Sequence, residues 1–215
     1  MKTNFDVTLK SKGMLLSKIT IFSFFLLLLL GCSKDNLSND SNVSLPPETQ
    51  VGANTFGCYA NGKLIVPRGY GAYNGNYPAV LWGDPAGTIN YYELDIMDLK
   101  SEKGGKIFIH MQGIHQLGIG TYVIDESNGQ TSIDGYAHNY MHGRIFKEQT
   151  NSFQYYRSYP NSGILKITRY DFTNRIISGT FSGRLRNTVD AADEIEITQG
   201  RFDIKWSTLL TTNFP

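Results

Sequence analysis

The pattern of hydrophobic and polar positions changes twice along the chain. An apolar run occupies 19–30, a polar segment follows as far as Asn54, and from Thr55 onward many segments are apolar at every second position. The clearest example is 201–206, which reads RFDIKW. Alternation with a period of two is typical of β-strands that have one face on a core and the other toward water.

Turn signals separate these alternating segments. Asn61 and Gly62 join two of them, and an Asn-Gly pair is a strong short-range signal for a β-hairpin. Gly104 and Gly105 separate two more. No segment combines a 3.6-residue period with helix caps. The sequence therefore predicts an all-β fold over 55–215: a single antiparallel β-sandwich, or a barrel, of about ten strands.

Alternation also assigns side chains to faces. The residues expected to point into the core are Phe181, Ile197, Phe202 and Ile204. Those expected to face water are Arg201, Asp203 and Lys205. The segment 106–112 is apolar on both faces, which predicts a central strand.

The apolar run near the start has the order of a lipoprotein signal peptide. Lysines precede it, and Gly31 and Cys32 close it. It is shorter than the roughly 20 residues that span a bilayer. The sequence LLGC at 29–32 resembles a lipobox, which implies that 1–31 are removed and that the sulfur of Cys32 carries the lipid. We therefore expect palmitate labelling and a membrane partner reached through this lipid.

This signal implies a location in the cell envelope, anchored by lipid, at the outer membrane of a gram-negative bacterium. Residues 32–54 are rich in Ser, Asn, Asp and Pro. Such a segment buries too little apolar surface to offset its ordering entropy. We interpret it as a disordered tether between the lipidated cysteine and the folded domain.

Two stretches resemble an uncharacterised family of envelope lipoproteins from gram-negative bacteria. Residues 55–63, TFGCYANGK, resemble the first hairpin of that family. Residues 177–182 and 195–204 resemble its C-terminal end. The family is known only as a domain of unknown function. The resemblance implies a secreted all-β lipoprotein and supplies no catalytic residues.

Charge and cysteine content narrow the function further. The chain has 20 basic and 19 acidic residues, and four of the lysines but only one aspartate precede Gly31. The mature chain is therefore slightly acidic, which argues against a nucleic-acid partner. Cys58 has no partner if Cys32 is lipidated, so no internal disulfide forms. We interpret Cys58 as a small buried apolar residue.

The main candidate site is a segment rich in Gly, Asn and aromatic residues between 69 and 82. Aromatic rings stack on the apolar faces of sugars, and loops on a rigid β scaffold commonly carry binding residues. The expected ligand-binding residues are Tyr70, Tyr73, Tyr77 and Trp82. The alternative is that these tyrosines are structural, because Tyr is common in strands and at their edges.

Four histidines form a second group, His110, His115, His138 and His142. Residues four apart on a strand lie about 13 Å from each other, too far for His138 and His142 to share one zinc ion. A cross-strand pairing of His110 with His142 stays open. We predict ordinary strand or loop histidines and no metal site.

Catalytic signatures are weak. The sequence lacks a Gly-x-Ser-x-Gly elbow and a phosphate-binding loop, and we predict no cofactor. Glu93 and Asp95 share a strand face about 7 Å apart, which suits glycoside chemistry but is also common on exposed strands.

The leading hypothesis is a non-catalytic binding or structural role in the envelope. The alternatives are a glycan-binding accessory lipoprotein and an enzyme of unknown class, and the expected partner is a glycan or an envelope protein.

Overall fold

The computed structural model describes residues 43–69, 75–84, 86–88 and 90–215, and it confirms the all-β prediction. Eleven strands belong to one mainly antiparallel sheet, which does not close. The strands described here therefore do not form the barrel alternative. The signal peptide and Cys32 lie outside the described residues.

The strand bounds follow the alternating segments of the sequence. The strands are β1 (Thr55–Ala60), β2 (Lys63–Ile65), β3 (Ala79–Gly83), β4 (Tyr91–Met97), β5 (Lys106–Gln112), β6 (Gly120–Ile124), β7 (Tyr140–Lys147), β8 (Ser152–Arg157), β9 (Gly163–Asp171), β10 (Ile176–Asn187) and β11 (Glu194–Lys205). The β1–β2 hairpin is present, and Asn61 and Gly62 have φ of 46° and 77°, as a type I′ turn requires.

Helical structure is sparse in the described part of the chain. It comprises one four-residue helix, α1 (Ile114–Leu117), and three 3-10 turns, Ser132–Asp134, Glu148–Thr150 and Leu209–Thr211. Local sequence patterns did not predict α1, which begins after Gly113 at a φ of 76°. Within the described ranges, no helix has the length and apolar character needed to cross a membrane.

The sheet branches at the long strand β10. Its main path runs β2-β1-β11-β10-β8-β7-β5-β4-β3, and β9 and β6 form a side branch. Residues 176–183 of β10 pair with β9, whereas Arg186 and Asn187 pair with β8. A register shift between Phe181 and Gly183 marks a bulge on this strand. Bulges bend and twist a strand, which allows β10 to serve both parts of the sheet.

One hydrophobic core joins strands from both parts of the sheet. The four residues predicted to point inward, Phe181, Ile197, Phe202 and Ile204, are all buried in it. Cys58 is also fully buried and free, as predicted. Burial raises the pKa of its thiol well above the usual range, so this cysteine is an inert apolar residue.

The strand β5 is buried on both faces, as its continuous apolar sequence predicted. Ile107, Ile109 and Met111 lie in the core. Phe108 and His110 project from the opposite face and are equally buried. This second buried face distinguishes β4 and β5 from the strands that alternate between core and water.

The predicted tether is wrong for residues 43–54, because the compact unit begins at Val43. Leu45 and Pro46 lie against Gly57, where an added Cβ would come within 2.7 Å of both side chains. Asn54 is buried and accepts a hydrogen bond from the backbone amide of Lys205 at 2.7 Å. The polar composition of this segment hid these contacts, because hydrogen bonds rather than apolar burial hold most of it.

Asp203 holds this segment in place, and its predicted exposure to water is wrong. It lies on the face opposite Phe202, but it is only 1% exposed because residues 49–53 cover it. Its carboxylate accepts five hydrogen bonds, from the hydroxyls of Thr49 and Ser178 and from the amides of Val51, Gly52 and Ala53, at 2.7–3.1 Å.

These bonds determine the ionisation of Asp203. Burial alone would raise the pKa of its carboxyl, but the hydrogen bonds from Thr49, Ser178 and the covering amides outweigh burial and lower it. A carboxyl whose pKa is lower in the folded state stabilises that state above the unfolded pKa near 4. This stabilisation is lost as the pH falls through the folded value.

Replacing Asp203 should therefore destabilise the domain in a pH-dependent way. Asp203→Asn should lower the free energy of unfolding at pH 7 by about 2–3 kcal/mol, because it weakens hydrogen bonds to a charged acceptor. The loss relative to wild type should shrink as the pH falls below about 4, because the unfolded carboxyl then binds a proton while the folded one, with its lower pKa, still resists protonation. Urea denaturation at pH 7 and pH 3 measures both effects. Glu196→Gln, an exposed change on the same strand, is the control, and equal losses in both variants would contradict the role of Asp203.

Candidate functional site

The candidate site lies on the face of β3, β4, β5, β7 and β8 that points away from the core, here called the outer face. Directly paired residues of antiparallel strands project from the same face, so the register gives three cross-strand rows. The first row is Met97, Lys106, Arg144 and Tyr155. The second row is Val80, Asp95, Phe108, His142 and Arg157, and the third is Trp82, Glu93, His110 and Tyr140.

A hydrogen-bonded chain of buried polar groups crosses the third row. Nδ1 of His110 lies 3.0 Å from Oε1 of Glu93, and its Nε2 lies 3.1 Å from Oε1 of Gln112. The amide nitrogen of Gln112 donates to the carbonyl of Asn90, so its oxygen faces His110 and must accept. His110 therefore donates from Nε2 to the amide oxygen of Gln112, and its Nδ1 faces the carboxylate of Glu93.

Aromatic rings enclose these hydrogen-bonded polar groups. His110 stacks on the ring of Tyr140, with centroids 4.5 Å apart. It also stacks on the ring of Tyr91, with centroids 5.2 Å apart. Both Glu93 and His110 are 1% exposed. The expectation that Glu93 belongs to an exposed acidic face is therefore wrong, because the strand pattern alone does not reveal what lies above it.

Residues 125–139, here called the cover segment, close Glu93, His110 and Tyr140 of the third row from solvent. The amide of Ser132 donates to Oε1 of Glu93, and the hydroxyl of Ser132 lies 2.8 Å from that of Tyr91. The hydroxyl of Tyr140 donates to the carbonyl of Gln130 at 3.0 Å. The Glu93–His110 pair is thus sealed between the sheet and the cover segment, where no substrate reaches it.

The cover segment leaves the first row open. A cleft of about 410 Å³ lies there, lined by Asn76, Met97, Lys106, Gly129, His142, Gly143, Arg144 and Tyr155. A second cavity of about 240 Å³ shares four of these residues and extends to Arg157 and Thr188. The cleft falls in the size range of small-molecule sites, about 300–1,000 Å³.

Cations dominate the cleft. Nζ of Lys106 forms an ion pair with Asp95 at 2.7 Å. The guanidinium of Arg144 lies over the ring of Phe153, 4.4 Å from its centroid. Arg157 donates to the carbonyl of Asn128 at 2.8 Å. The desolvation of Asp95 raises the pKa of its carboxyl, while Lys106 acts in the opposite direction.

His142 contributes no charge to the cleft at neutral pH. Its ring stacks on Phe108 with centroids 4.3 Å apart. Burial, together with the nearby charges of Lys106 and Arg157, lowers the pKa of His142 to about 4. The imidazole is therefore neutral above about pH 5, and the cationic side chains are Lys106 and Arg144 in the cleft and Arg157 in the adjoining cavity.

A Ser–His pair at the cleft lacks the features of an activated nucleophile. Oγ of Ser127 lies 3.3 Å from Nδ1 of His142, but Ser127 is 5% exposed and its hydroxyl accepts the amide of Gly129. Within the described residues no carboxylate is hydrogen-bonded to His142. An imidazole with a pKa near 4 is also a weak general base at neutral pH.

The structure separates the predicted aromatic site into two parts. Tyr70 and Tyr73 lie outside the described residues. Tyr77 and Trp82 are described and are 36% and 49% exposed. Trp82 projects from the outer face opposite Glu93, at the end of the third row. Asn76, from the same segment, lines the cleft.

The four histidines do not form one cluster. His110 and His142 both lie on the outer face, but their direct cross-strand partners are Tyr140 and Phe108, so the open His110–His142 pairing is not direct. His115 contacts the hydroxyl of Tyr170 at 2.7 Å, and His138 contacts the carbonyl of Glu126. No group of three His, Cys, Asp or Glu residues suited to a metal ion occurs in the described part of the chain.

The residues that line the cleft were largely missed from the sequence. Lys106, Arg144 and Tyr155 belong to three different strands, and only the pairing register brings them together. A weak signal was present in β7 and β8, where His142 and Arg144, like Tyr155 and Arg157, occupy alternate positions opposite core residues.

Comparisons of the chain with protein-family models, with curated proteins and with solved structures find no match. The function must therefore be argued from the geometry of the outer face.

The buried pair should be essential to stability. Glu93→Ala removes the partner of His110 and of the Ser132 amide in a sealed site, and breaking a buried pair costs about 3–5 kcal/mol. Chemical denaturation at pH 7 measures this loss. Glu196→Ala, an exposed acidic residue on β11, should stay within about 0.5 kcal/mol. A similarly small loss for Glu93→Ala would contradict the enclosed pair described here.

Proposed function

We propose that this chain is a lipid-anchored protein of the cell envelope that binds a small ligand or a glycan in the outer-face cleft without catalysing its conversion. The observation that carries the proposal is the open first row, where Met97, Lys106, Arg144 and Tyr155 line a cleft beside the buried Glu93 and His110 of the same sheet face. Convergent polar groups and an exposed aromatic ring in one concavity are typical of binding sites.

Binding fits the geometry better than catalysis. The buried acid–base pair of Glu93 and His110 is closed off by the cover segment. His142, which does line the cleft, is a neutral imidazole stacked on Phe108. Among the described cleft residues no nucleophile is paired with a base of suitable pKa. The lining can hold and orient a ligand, which is sufficient for a binding protein.

The lipid anchor rests on the sequence around Cys32. Lysines, an apolar run and the LLGC motif at 29–32 occur in the order of a lipoprotein signal. A lipid on Cys32 would make the membrane a partner of the mature chain and place the domain in the envelope, at the outer membrane of a gram-negative bacterium. Two or more acyl chains are needed for stable anchoring, as lipoprotein processing would supply.

A second candidate is a glycan-binding accessory lipoprotein that uses the aromatic segment. The observation that favours it is the exposure of Trp82 and Tyr77, 49% and 36%, next to Asn76 in the cleft wall. Exposed rings offer stacking surfaces for sugars, and Asn76 offers an amide. Tyr70 and Tyr73 belong to this hypothesis through the sequence alone.

Tyr155 provides the test of cleft binding. The full mature protein is screened on an array of neutral and acidic glycans, and the affinity for each hit is then measured. Tyr155→Ala should weaken binding by about 1–3 kcal/mol, the usual range for an interface aromatic residue. The melting temperature should change little, because Tyr155 is 58% exposed.

Phe172→Ala is the control for Tyr155→Ala, because Phe172 is a half-exposed aromatic residue on the turn after β9, outside the cleft lining. It should leave the affinity unchanged. Loss of binding in Trp82→Ala but not in Tyr155→Ala would transfer the site to the aromatic segment. No hit in the screen would count against both candidates.

The anchor has its own test. Cys32→Ser removes the thiol that the lipobox presents, so labelled palmitate should enter the wild type and not the variant. The variant should also lose the mass of the lipid. Cys58→Ser, a change at the other cysteine of the chain, should keep the label. Equal labelling of the wild type and Cys32→Ser would contradict the anchor.

A further inference from the structure

Arg144 lines the cleft and has a buried side-chain nitrogen without a hydrogen-bond partner, unlike the arginines of the described chain that are paired with acids. Arg68, Arg169 and Arg186 each form an ion pair with a nearby carboxylate, Asp98, Asp171 and Glu194 respectively. Within the described residues Arg144 forms no ion pair. Its Nε is buried without a hydrogen-bond partner. A buried donor without a partner carries a free-energy penalty, so the described part of the domain leaves the hydrogen-bonding capacity of Arg144 incompletely used.

The position of Arg144 places this cation in the centre of the cleft. It occupies the first row between Lys106 on β5 and Tyr155 on β8, and all three residues line the cavity. The ring of Phe153 supports the guanidinium from the side at 4.4 Å. The Arg144 side chain is therefore held by packing while its hydrogen-bonding groups have no acidic partner.

The lining of the cleft has one sign of charge. Lys106 and Arg144 line it, Arg157 lines the adjoining cavity, and neither lining contains an Asp or a Glu. The nearest acid along the sheet, Asp95, is already paired with Lys106. By contrast, a more open groove of about 550 Å³ on β10 and β11 is lined by Arg184 and Glu196, which have opposite charges.

We propose that the ligand of the cleft carries an anionic group, a carboxylate, sulfate or phosphate, and that Arg144 is the residue that binds it. This inference rests on the proposed binding function and specifies the class of ligand. The planar guanidinium matches the geometry of these anions and forms paired hydrogen bonds with them. The ammonium of Lys106, which Asp95 holds in place, lies beside the anion as a further hydrogen-bond donor, and the exposed ring of Tyr155 contacts the rest of the ligand.

The test measures anion binding to the full mature lipoprotein by calorimetry. A polyoxyethylene detergent keeps the protein in solution and adds neither charge nor sugar. The probes are trigalacturonate, its fully methyl-esterified neutral form, inorganic sulfate and inorganic phosphate. Low ionic strength limits the screening of the charges.

We expect at least one anionic probe to bind with a Kd below about 1 mM. Arg144→Gln should weaken that binding at least tenfold, and Arg144→Lys, which keeps the charge but loses the planar fork, should have an intermediate affinity. Arg184→Gln, the same change of charge in the other groove, should bind like the wild type. Binding of trigalacturonate but not of the inorganic ions would identify a carboxylated sugar, and the reverse would identify a sulfate or phosphate group.

Several results would overturn the inference. One is that trigalacturonate and its methyl ester bind equally and that Arg144→Gln still binds both. This result would leave the proposed binding function intact but would contradict the preference for an anionic ligand. Another is the absence of binding by every anionic probe, in which case the glycan screen with Tyr155→Ala still decides on the cleft. Thermal melting without probe shows whether Arg144→Gln is folded, and if it is not, Arg144→Lys and Lys106→Gln take its place with the same criteria.

Discussion

The burial of β4 and β5 on both faces is the constraint on which the rest of the structure depends. Their inner faces contribute Leu94, Ile109 and other apolar residues to the core. Their outer faces carry Glu93 and His110, which are ionisable groups removed from water. Such groups are tolerated only when they are paired and hydrogen-bonded. The outer face therefore needs a second layer of protein, and the cover segment supplies it through the backbone of Ser132.

The candidate site follows from where this second layer ends. The cover segment lies over the third row and its histidine, whereas the first row, with Lys106, Arg144 and Tyr155, opens to a cleft. The covered part is held by stacked rings and by the hydrogen bonds of Glu93 Oε1, His110 and Tyr140. A rigid sheet with an open row of cations is a preorganised surface, and preorganisation reduces the entropy that binding costs. The lipid anchor on Cys32 would hold this surface at the envelope.

Sequence reasoning predicted the fold well where period-two alternation applies. The all-β class, the central strand at 106–112, the Asn61–Gly62 hairpin and the inward side chains of β10 and β11 followed from local pattern alone. Alternation assigned Asp203 to the correct face but gave the wrong environment, because residues 49–53 cover that face through hydrogen bonds to its carboxylate. Periodicity predicts the face of the sheet from which a side chain projects, but it does not predict which other residues cover that face. The cleft was missed for a related reason, since its row needs the register of four strands.

Hydroxyl-radical footprinting with mass spectrometry tests the central claim most directly, because it reports side-chain access along the outer face in one experiment. The account predicts rapid modification of Tyr155 at the open row and of Trp82 at the sheet edge, and protection of Tyr140 and His110 beneath the cover segment. Met111 in the core provides an internal standard for full protection. Modification of Tyr140 and His110 at rates comparable to that of Tyr155 would contradict a face that is sealed at one end and open at the other.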